Sequence, residues 1–200
     1  MMVLIVGKTR MKGGICVGGY LIVHNRSVRL IPQGRTNHPQ NDDHQVGQIW
    51  DVDFYRPAKI VSPHTEDIIV TGSKLIDFIP NVRVAEIIPP YVGCVNGLYD
   101  GMIRFTGNGS GYVSHSNGVP DYSTCFWSSD KPLSRVTDGN GIYFQYEINP
   151  FRRVRFKYVG FQEPFDTIEP GTTIRMSLAR WCSPSPGVGG KCHVQLSRWF

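Results

Sequence analysis

The sequence predicts an all-β protein built as two small barrel-like halves, and three observations predict it. Twenty-two glycines and 14 prolines punctuate the chain, as Gly13-Gly14, Gly18-Gly19, Pro89-Pro90, Asn108-Gly109, Asn117-Gly118, Asn140-Gly141 and Gly189-Gly190, which is the turn chemistry of many short strands. Between these turns, strand-like runs fall at residues 3–6, 15–23, 28–31, 49–55, 67–70, 82–88, 102–105, 142–148, 154–159, 173–181 and 193–199, close enough together for a sandwich or barrel. Third, Trp50, Val52 and Phe54 stand at the third, fifth and seventh positions after Gly47, and Ile174, Met176 and Leu178 repeat that phase after Gly171. On a strand these triplets share one face. The outward positions differ, Asp51 and Asp53 against Arg175 and Ser177, so any duplication has diverged where solvent or ligand is met.

Each element follows from its residues. The opening run and the one after Gly13-Gly14 are rich in Val and Ile, which fit a pleated, half-buried surface. Helix has little room. The one helix-like stretch is 73–79, where Ser73 is a candidate cap and Pro80 ends the pattern after barely two turns. Pro89-Pro90-Tyr91-Val92-Gly93 interrupts the strand pattern near mid-chain and predicts a joint, giving a first barrel over 1–90 and a second over 91–200.

Composition narrows the function classes. Apolar residues are 40% of the chain and charged residues 18%, which predicts a folded protein rather than a disordered one. No apolar run approaches the roughly 20 residues of a membrane span, and residues 1–6 are too short for a signal-peptide core, so no membrane partner and a cytoplasmic location are expected. The five cysteines, Cys16, Cys94, Cys125, Cys182 and Cys192, are an odd number without disulfide-framework spacing, and reduced, buried thiols are expected. Without a Cys-x-x-Cys pair, Cys182, Cys192 and His193 make a poor zinc set; no metal and no cofactor are expected. The formal net charge of +5 favours a polyanionic partner and is shared, +2 for residues 1–95 and +3 for 96–200.

The strings Lys8-Thr9-Arg10-Met11, Ile15-Cys16-Val17-Gly18-Gly19, Ser27-Val28-Arg29-Leu30, Gly47-Gln48-Ile49-Trp50-Asp51-Val52 and Pro63-His64-Thr65-Glu66-Asp67 resemble the opening half of the dual OB-containing domain family of prokaryotes. Gly111-Tyr112-Val113-Ser114, Val119-Pro120-Asp121-Tyr122-Ser123-Thr124, Phe126-Trp127, Ser177-Leu178-Ala179-Arg180-Trp181 and the closing Gln195-Leu196-Ser197-Arg198-Trp199-Phe200 resemble its second half. The chain departs at Cys182, where a second Trp would follow Trp181, and at Arg198, where a Gly would precede the closing aromatic pair. The resemblance implies tandem OB barrels in a protein often linked with defence against mobile DNA, with nucleic acid or a nucleotide as inferred ligand and no assured enzymatic activity. It supplies no catalytic residues.

Candidate binding residues come from charge rows. On a strand, Arg153, Arg155 and Lys157 form one row opposite Val154, Phe156 and Tyr158. Cations about 7 Å apart suit a phosphate backbone. The alternative is a solvated edge that resists pairing with other chains. Lys8, Arg10 and Lys12 alternate likewise and run into Gly13-Gly14, where OB barrels grip ligands in their first inter-strand loop; a plain charged loop is the alternative. Arg29 and Arg180 join this set as candidate nucleic-acid contacts, with Tyr112 and Trp127 as candidate base-stacking platforms. Pro63-His64-Thr65-Glu66-Asp67 gathers a His and two carboxylates, read as a polar turn first and as acid–base or metal chemistry second. The leading expectation is therefore a non-catalytic module for single-stranded nucleic acid or a nucleotide. A protein-interaction module holding an effector protein is the alternative, and a metal-dependent nuclease, with Asp51 and Asp53 as further carboxylates, is the third reading.

Overall fold

Alternation of apolar residues closes the first half of the chain into a five-stranded barrel in the computed structural model, which describes residues 1–183 and 189–200. Its strands are β1 (Met2–Met11), β2 (Gly14–Leu21), β3 (Arg26–Pro32), β4 (Gln48–Tyr55) and β5 (Asp67–Phe78), followed by helix α1 (Asn81–Ile87). Antiparallel pairing joins β1 to β2 and β2 to β3, a parallel ladder joins β3 to β5, and antiparallel β5–β4 and β4–β1 pairs complete the ring. Every other residue points inward, so Val3, Ile5, Val17, Val28, Leu30, Val52 and Ile68 meet in one core. A Cβ on Gly19 would stand 2.4 Å from Val3 Cγ1 and 2.8 Å from Leu30 Cδ1, so only glycine lets the strands approach there. Val52 is buried, with Trp50 and Phe54 packed against the same core, while Asp51 and Asp53 face out.

Two local expectations fail in this half. Residues 73–79 do not form a helix: Ser73–Phe78 is the outer half of β5, hydrogen-bonded along β4 from Val52↔Ser73 to Gln48↔Phe78. All six side chains of that stretch are exposed, so there was no apolar stripe for a helix to bury. The strand expected over 82–88 is instead α1. Pro80 at its N-cap sets φ at −61° without needing a backbone N–H, and Val84 is its buried residue.

The second half repeats the ring with additions. Its strands are β6 (Tyr91–Gly93), β7 (Arg104–Phe105), β8 (Gly111–Ser114), β9 (Thr124–Ser129), β10 (Leu133–Asp138), β11 (Gly141–Asn149), β12 (Arg152–Tyr158), β13 (Thr167–Ile168), β14 (Thr173–Leu178) and β15 (Lys191–Trp199). The antiparallel meander β10–β11–β12 joins β15 by a parallel ladder, β15 pairs antiparallel with β14, and β14 with β9. Only Asp130, Lys131 and Pro132 separate β9 from β10, so the two are one first strand broken by a turn. Ser129 Oγ accepts from Lys131 N (3.2 Å) and donates to Lys131 O (2.6 Å). With that strand counted once, both barrels run first–second–third–fifth–fourth with a parallel third–fifth pair. Short β6, the β7–β8 hairpin and β13 add to β9, β15 and β10. The chain divides into Met1–Val61 with Thr65–Pro89 and Phe200 as one unit, and Ser62–His64 with Pro90–Trp199 as the other.

The phase shared after Gly47 and Gly171 has a structural basis, because β4 and β14 are both the fourth strand of their ring. Gly47 N–H donates to Ile5 O (2.9 Å) and Gly171 N–H to Ser129 O (3.2 Å), each on its barrel's first strand, at φ +94° and +85°. The expectation that Arg175 faces outward is corrected: it is 4% exposed, and its guanidinium donates to Ser197 Oγ (2.8 Å) and Thr124 Oγ1 (3.4 Å). Open space surrounds Gly171, whereas a Cβ on Gly47 would meet Ile79 O at 2.4 Å. Gly171→Ala is therefore expected to cost about 1–2 kcal/mol of backbone strain, and Gly47→Ala more, by urea denaturation. Equal costs would mean that the contact at Gly47 relaxes freely.

Candidate nucleic-acid interface

The β12 row lies where the alternation put it, yet two of its three cations are already partnered. Arg153 pairs with Glu147 Oε2 (3.2 Å) from the facing strand β11. Arg155 pairs with Asp138 Oδ2 (2.8 Å), at the turn from β10 to β11, and its guanidinium lies 4.4 Å from the Tyr143 ring centroid. Hydrogen bonds from Asn140 N–H and Arg155 hold Asp138 below the usual carboxylate range. Lys157 is exposed beside this pair. Sequence could show the row, but not that Glu147 comes opposite Arg153, because that register depends on an irregularity in the β11–β12 pairing after Glu147.

In the first barrel, Lys8 Nζ is drawn to Asp42 O (3.0 Å), while Arg10 and Lys12 are exposed beside the β1–β2 turn. That turn borders an open cleft of about 690 Å³ between Gly13 and residues 34–39, with Arg35 on its wall. Arg29 is an ion-pair partner of Asp67, directly across the β3–β5 ladder. In the polar string that contains Asp67, His64 and Glu66 are buried, and Asp67 joins Arg29.

The second barrel holds a cluster that sequence reasoning only half found. Tyr112 on β8 lies under Lys191 of β15, whose Nζ is 4.3 Å from the ring centroid, and beside His193 with ring centroids 6.4 Å apart. Burial and the Lys191 ammonium hold His193 below its ordinary pKa. On the hairpin partner β7, Phe105 faces the Arg152 guanidinium at 5.8 Å. Phe105, Tyr112, Arg104 and Arg152 line a cleft of about 380 Å³, with Asn96 and Asn117 adding amides. Arg104 is held in place by Gly101 O and Ile103 O, both at 2.7 Å. Cations set against half-exposed rings are the arrangement that holds unstacked bases and their phosphates. The missed residues come from three separate stretches of sequence, Arg104 with Phe105, Arg152 and Lys191; strand pairing assembles them.

Trp127 is corrected as a stacking platform. It is 0% exposed, at the centre of the second core, with Nε1–H donating to Gly93 O (2.8 Å). Arg180 is exposed at the end of β14, and Trp181 beside it stacks on His115 with centroids 4.2 Å apart and donates to Ser62 O (3.0 Å). Of the cysteines, Cys192 is buried, which pushes its thiol up to about 12, but Cys94 and Cys182 are exposed, against expectation.

Among the described residues, one group of His, Cys or acidic side chains brings three donor atoms together, His38, Asp42 and His44, within 4.8 Å. Those atoms bond one another: Asp42 Oδ2 meets His38 Nδ1 (2.6 Å), and Oδ1 meets both His44 Nδ1 (2.9 Å) and His44 N–H (3.0 Å). His38 Nε2 bonds Leu30 O (3.0 Å). Burial alone would raise the Asp42 pKa, but the hydrogen bonds and charge of the two histidines reverse this and hold it well below the carboxylate range. The group reads as a closed hydrogen-bonded network in the loop from β3 to β4. Asp51 and Asp53 are not part of it.

A model of the dual OB-containing domain family matches residues 1–199. No curated protein matches the chain. Among solved structures, a murine DNA-binding protein bound with double-stranded DNA matches at 9% identity and TM-score 0.32, over 98% of this chain and 92% of that one. No described helix is long and apolar enough to cross a membrane.

Proposed function

The chain belongs to the dual OB-containing domain family, and from that premise we propose that it binds single-stranded nucleic acid through the second barrel. The observation that carries this reading is the cleft lined by Phe105, Tyr112, Arg104 and Arg152, with Arg152 set against the Phe105 ring and Lys191 against the Tyr112 ring. Bases stack on the two rings, and Arg152 and Lys191 neutralise the adjoining phosphates. The paired Arg153 and Arg155 brace the sheet, and Lys157, Arg10, Lys12 and Arg180 add exposed positive charge. A module of this kind acts in the cytoplasm, in the defence against mobile DNA that the family resemblance implies.

Fluorescence anisotropy with a labelled oligonucleotide of about 16 nucleotides at two salt concentrations tests the reading. Binding should weaken with salt, and Arg152→Glu should lower the slope of log affinity against log salt by about 0.7. Tyr112→Ala should cost about 1–3 kcal/mol of binding for any base sequence, with the thermal melt unmoved. No binding at low salt, or binding that ignores both changes, rejects the site.

A second reading has its own observation. The β3–β5 ladder runs only over Asp67–Val70, so residues 71–78 of β5 pair with β4 on one edge and with no described strand on the other. Leu75, Ile76 and Phe78 are exposed there. An open apolar edge is a template for an added strand, so this edge supports an effector protein as partner.

A further inference from the structure

We propose that His38, Asp42 and His44 form a zinc site that fastens the loop between β3 and β4 to the wall of the first barrel. One donor atom from each lies within 4.8 Å of the other two, the histidines are buried, and the Asp42 side chain is 8% exposed. Three strands hold the set in place. His38 is fixed by its backbone, which exchanges two hydrogen bonds of 2.9 Å with Ile15 on β2, and its Nε2 meets Leu30 O of β3 (3.0 Å). A backbone carbonyl behind the far nitrogen is how metal-binding histidines commonly fix their ring. The His44 ring packs on Trp50 of β4 with centroids 4.5 Å apart, and the Asp42 carboxylate meets both histidines. Residues 33–47 connect β3 to β4 without a strand or helix of their own, and a connection this long in a compact domain needs something to order it.

The donors select the ion. Two imidazole nitrogens and one carboxylate oxygen suit zinc and its first-row neighbours, whereas magnesium and calcium take oxygen ligands. Donors about 2.0–2.2 Å from one zinc ion stand about 3.0–3.5 Å from each other. Asp42 lies 2.6 Å from His38 Nδ1 and 2.9 Å from His44 Nδ1, so its carboxylate has to part from each ring by less than an ångström, which side-chain rotation supplies. Without an ion the three side chains bond one another; zinc takes the place of the protons between them. Two further observations favour an ion. His44 Nε2 is buried and meets no hydrogen-bond partner among the described residues, the mark of a place that takes up a water or an ion. His38 also lines the open cleft of about 690 Å³ beside Gly13, which gives zinc a path in and leaves room for the water that completes a three-ligand site. None of these residues belongs to the cleft of the second barrel, so the inference stands whether or not that barrel binds a strand.

Isothermal titration with zinc of the untagged full chain, reduced and freed of metal by a chelator, is the test. Zinc should bind 1:1 with a Kd of about 1 μM or tighter and raise the thermal melt. Asp42→Asn keeps the shape of the side chain but puts a neutral amide where the carboxylate was. It should weaken zinc by about 100-fold or more, since even a partner one step behind a ligand is worth about 10–100-fold. Melts recorded in chelator show that the variant still folds, and His44→Gln, read in the same way, serves if it does not. Cys182→Ser should leave zinc affinity unchanged, which separates the loop from Cys182, Cys192 and His193. Cobalt in place of zinc should show the visible bands of nitrogen and oxygen ligands and no thiolate charge-transfer band. No binding at submillimolar zinc, affinity indifferent to both Asp42→Asn and His44→Gln, or a thiolate band overturns the proposal. Failure of oligonucleotide binding, read on Tyr112→Ala and Arg152→Glu, bears only on the second barrel.

Discussion

Asp42→Ala is expected to destabilise the first barrel by about 3–5 kcal/mol, the cost of removing one partner from a buried ionic network. Asp42 receives three hydrogen bonds, from His38 Nδ1, His44 Nδ1 and His44 N–H, and its side chain is 8% exposed. Water therefore cannot replace the lost acceptor. The His38 ring also bonds Leu30 O through Nε2, so the ring is held at both of its nitrogens and alanine would remove one of the two anchors. The network fixes the long loop between β3 and β4, and the His44 ring packs on Trp50 with centroids 4.5 Å apart, so the damage should reach the barrel wall. Urea denaturation measures it; a cost below about 1 kcal/mol would show the triad to be incidental.

Asp42→Asn separates hydrogen bonding from charge. Its carbonyl oxygen can still accept from the His44 N–H, and its amide fills the same space beside His38, so it should cost clearly less than alanine. The pH dependence should also change. The folded pKa of Asp42 is held below its unfolded value, so its contribution is complete above the unfolded pKa of about 3.9 and is lost as pH falls below that value. Wild type should therefore lose stability more steeply below about pH 4 than the Asn variant. Parallel acid limbs would assign that loss to other carboxylates.

What the residues showed in advance was the part of the fold governed by alternation. Trp50-x-Val52-x-Phe54 and Ile174-x-Met176-x-Leu178 each needed one buried face, and both triplets lie on fourth strands. Where a stretch buries nothing, alternation is silent: Ser73–Phe78 is exposed on both faces and is a strand because β4 pairs with it. The broken first strand of the second barrel was illegible for a different reason, since Pro132 and the polar residues around it look like a boundary between elements. The candidate sites divide in the same way. Cation rows are local and were readable, whereas the partners that neutralise Arg153, Arg155 and Arg29 arrive from other strands. The His38–Asp42–His44 network was overlooked although its spacing lies within seven residues. A loop has no periodicity to say which side chains turn inward, and only the fold carries His38 to the Leu30 carbonyl.

Trp127→Ala should destabilise the second barrel by about 3–5 kcal/mol while leaving the strand-binding surface chemically intact. The indole fills the centre of the core, edge-on to Phe156 with centroids 6.0 Å apart and 5.6 Å from Tyr146. Its removal opens a cavity among side chains held on β9, β11 and β12, which cannot all collapse inward without breaking strand register. It also leaves Gly93 O without the indole donor that ties β6 to the barrel. Trp127→Phe should recover most of the packing and lose only that bond, a cost of about 1 kcal/mol plus the smaller ring's cavity. If calorimetry resolves two transitions, Trp127→Ala should lower one and Asp42→Ala the other, assigning each to its barrel, because the two residues share no core. Below the lowered transition, Trp127→Ala should still bind oligonucleotide, and Tyr112→Ala should show the reverse, weak binding on an unshifted melt. A Trp127→Ala protein that melts like wild type but no longer binds would return Trp127 to the ligand surface and remove Tyr112 from its place as the principal platform.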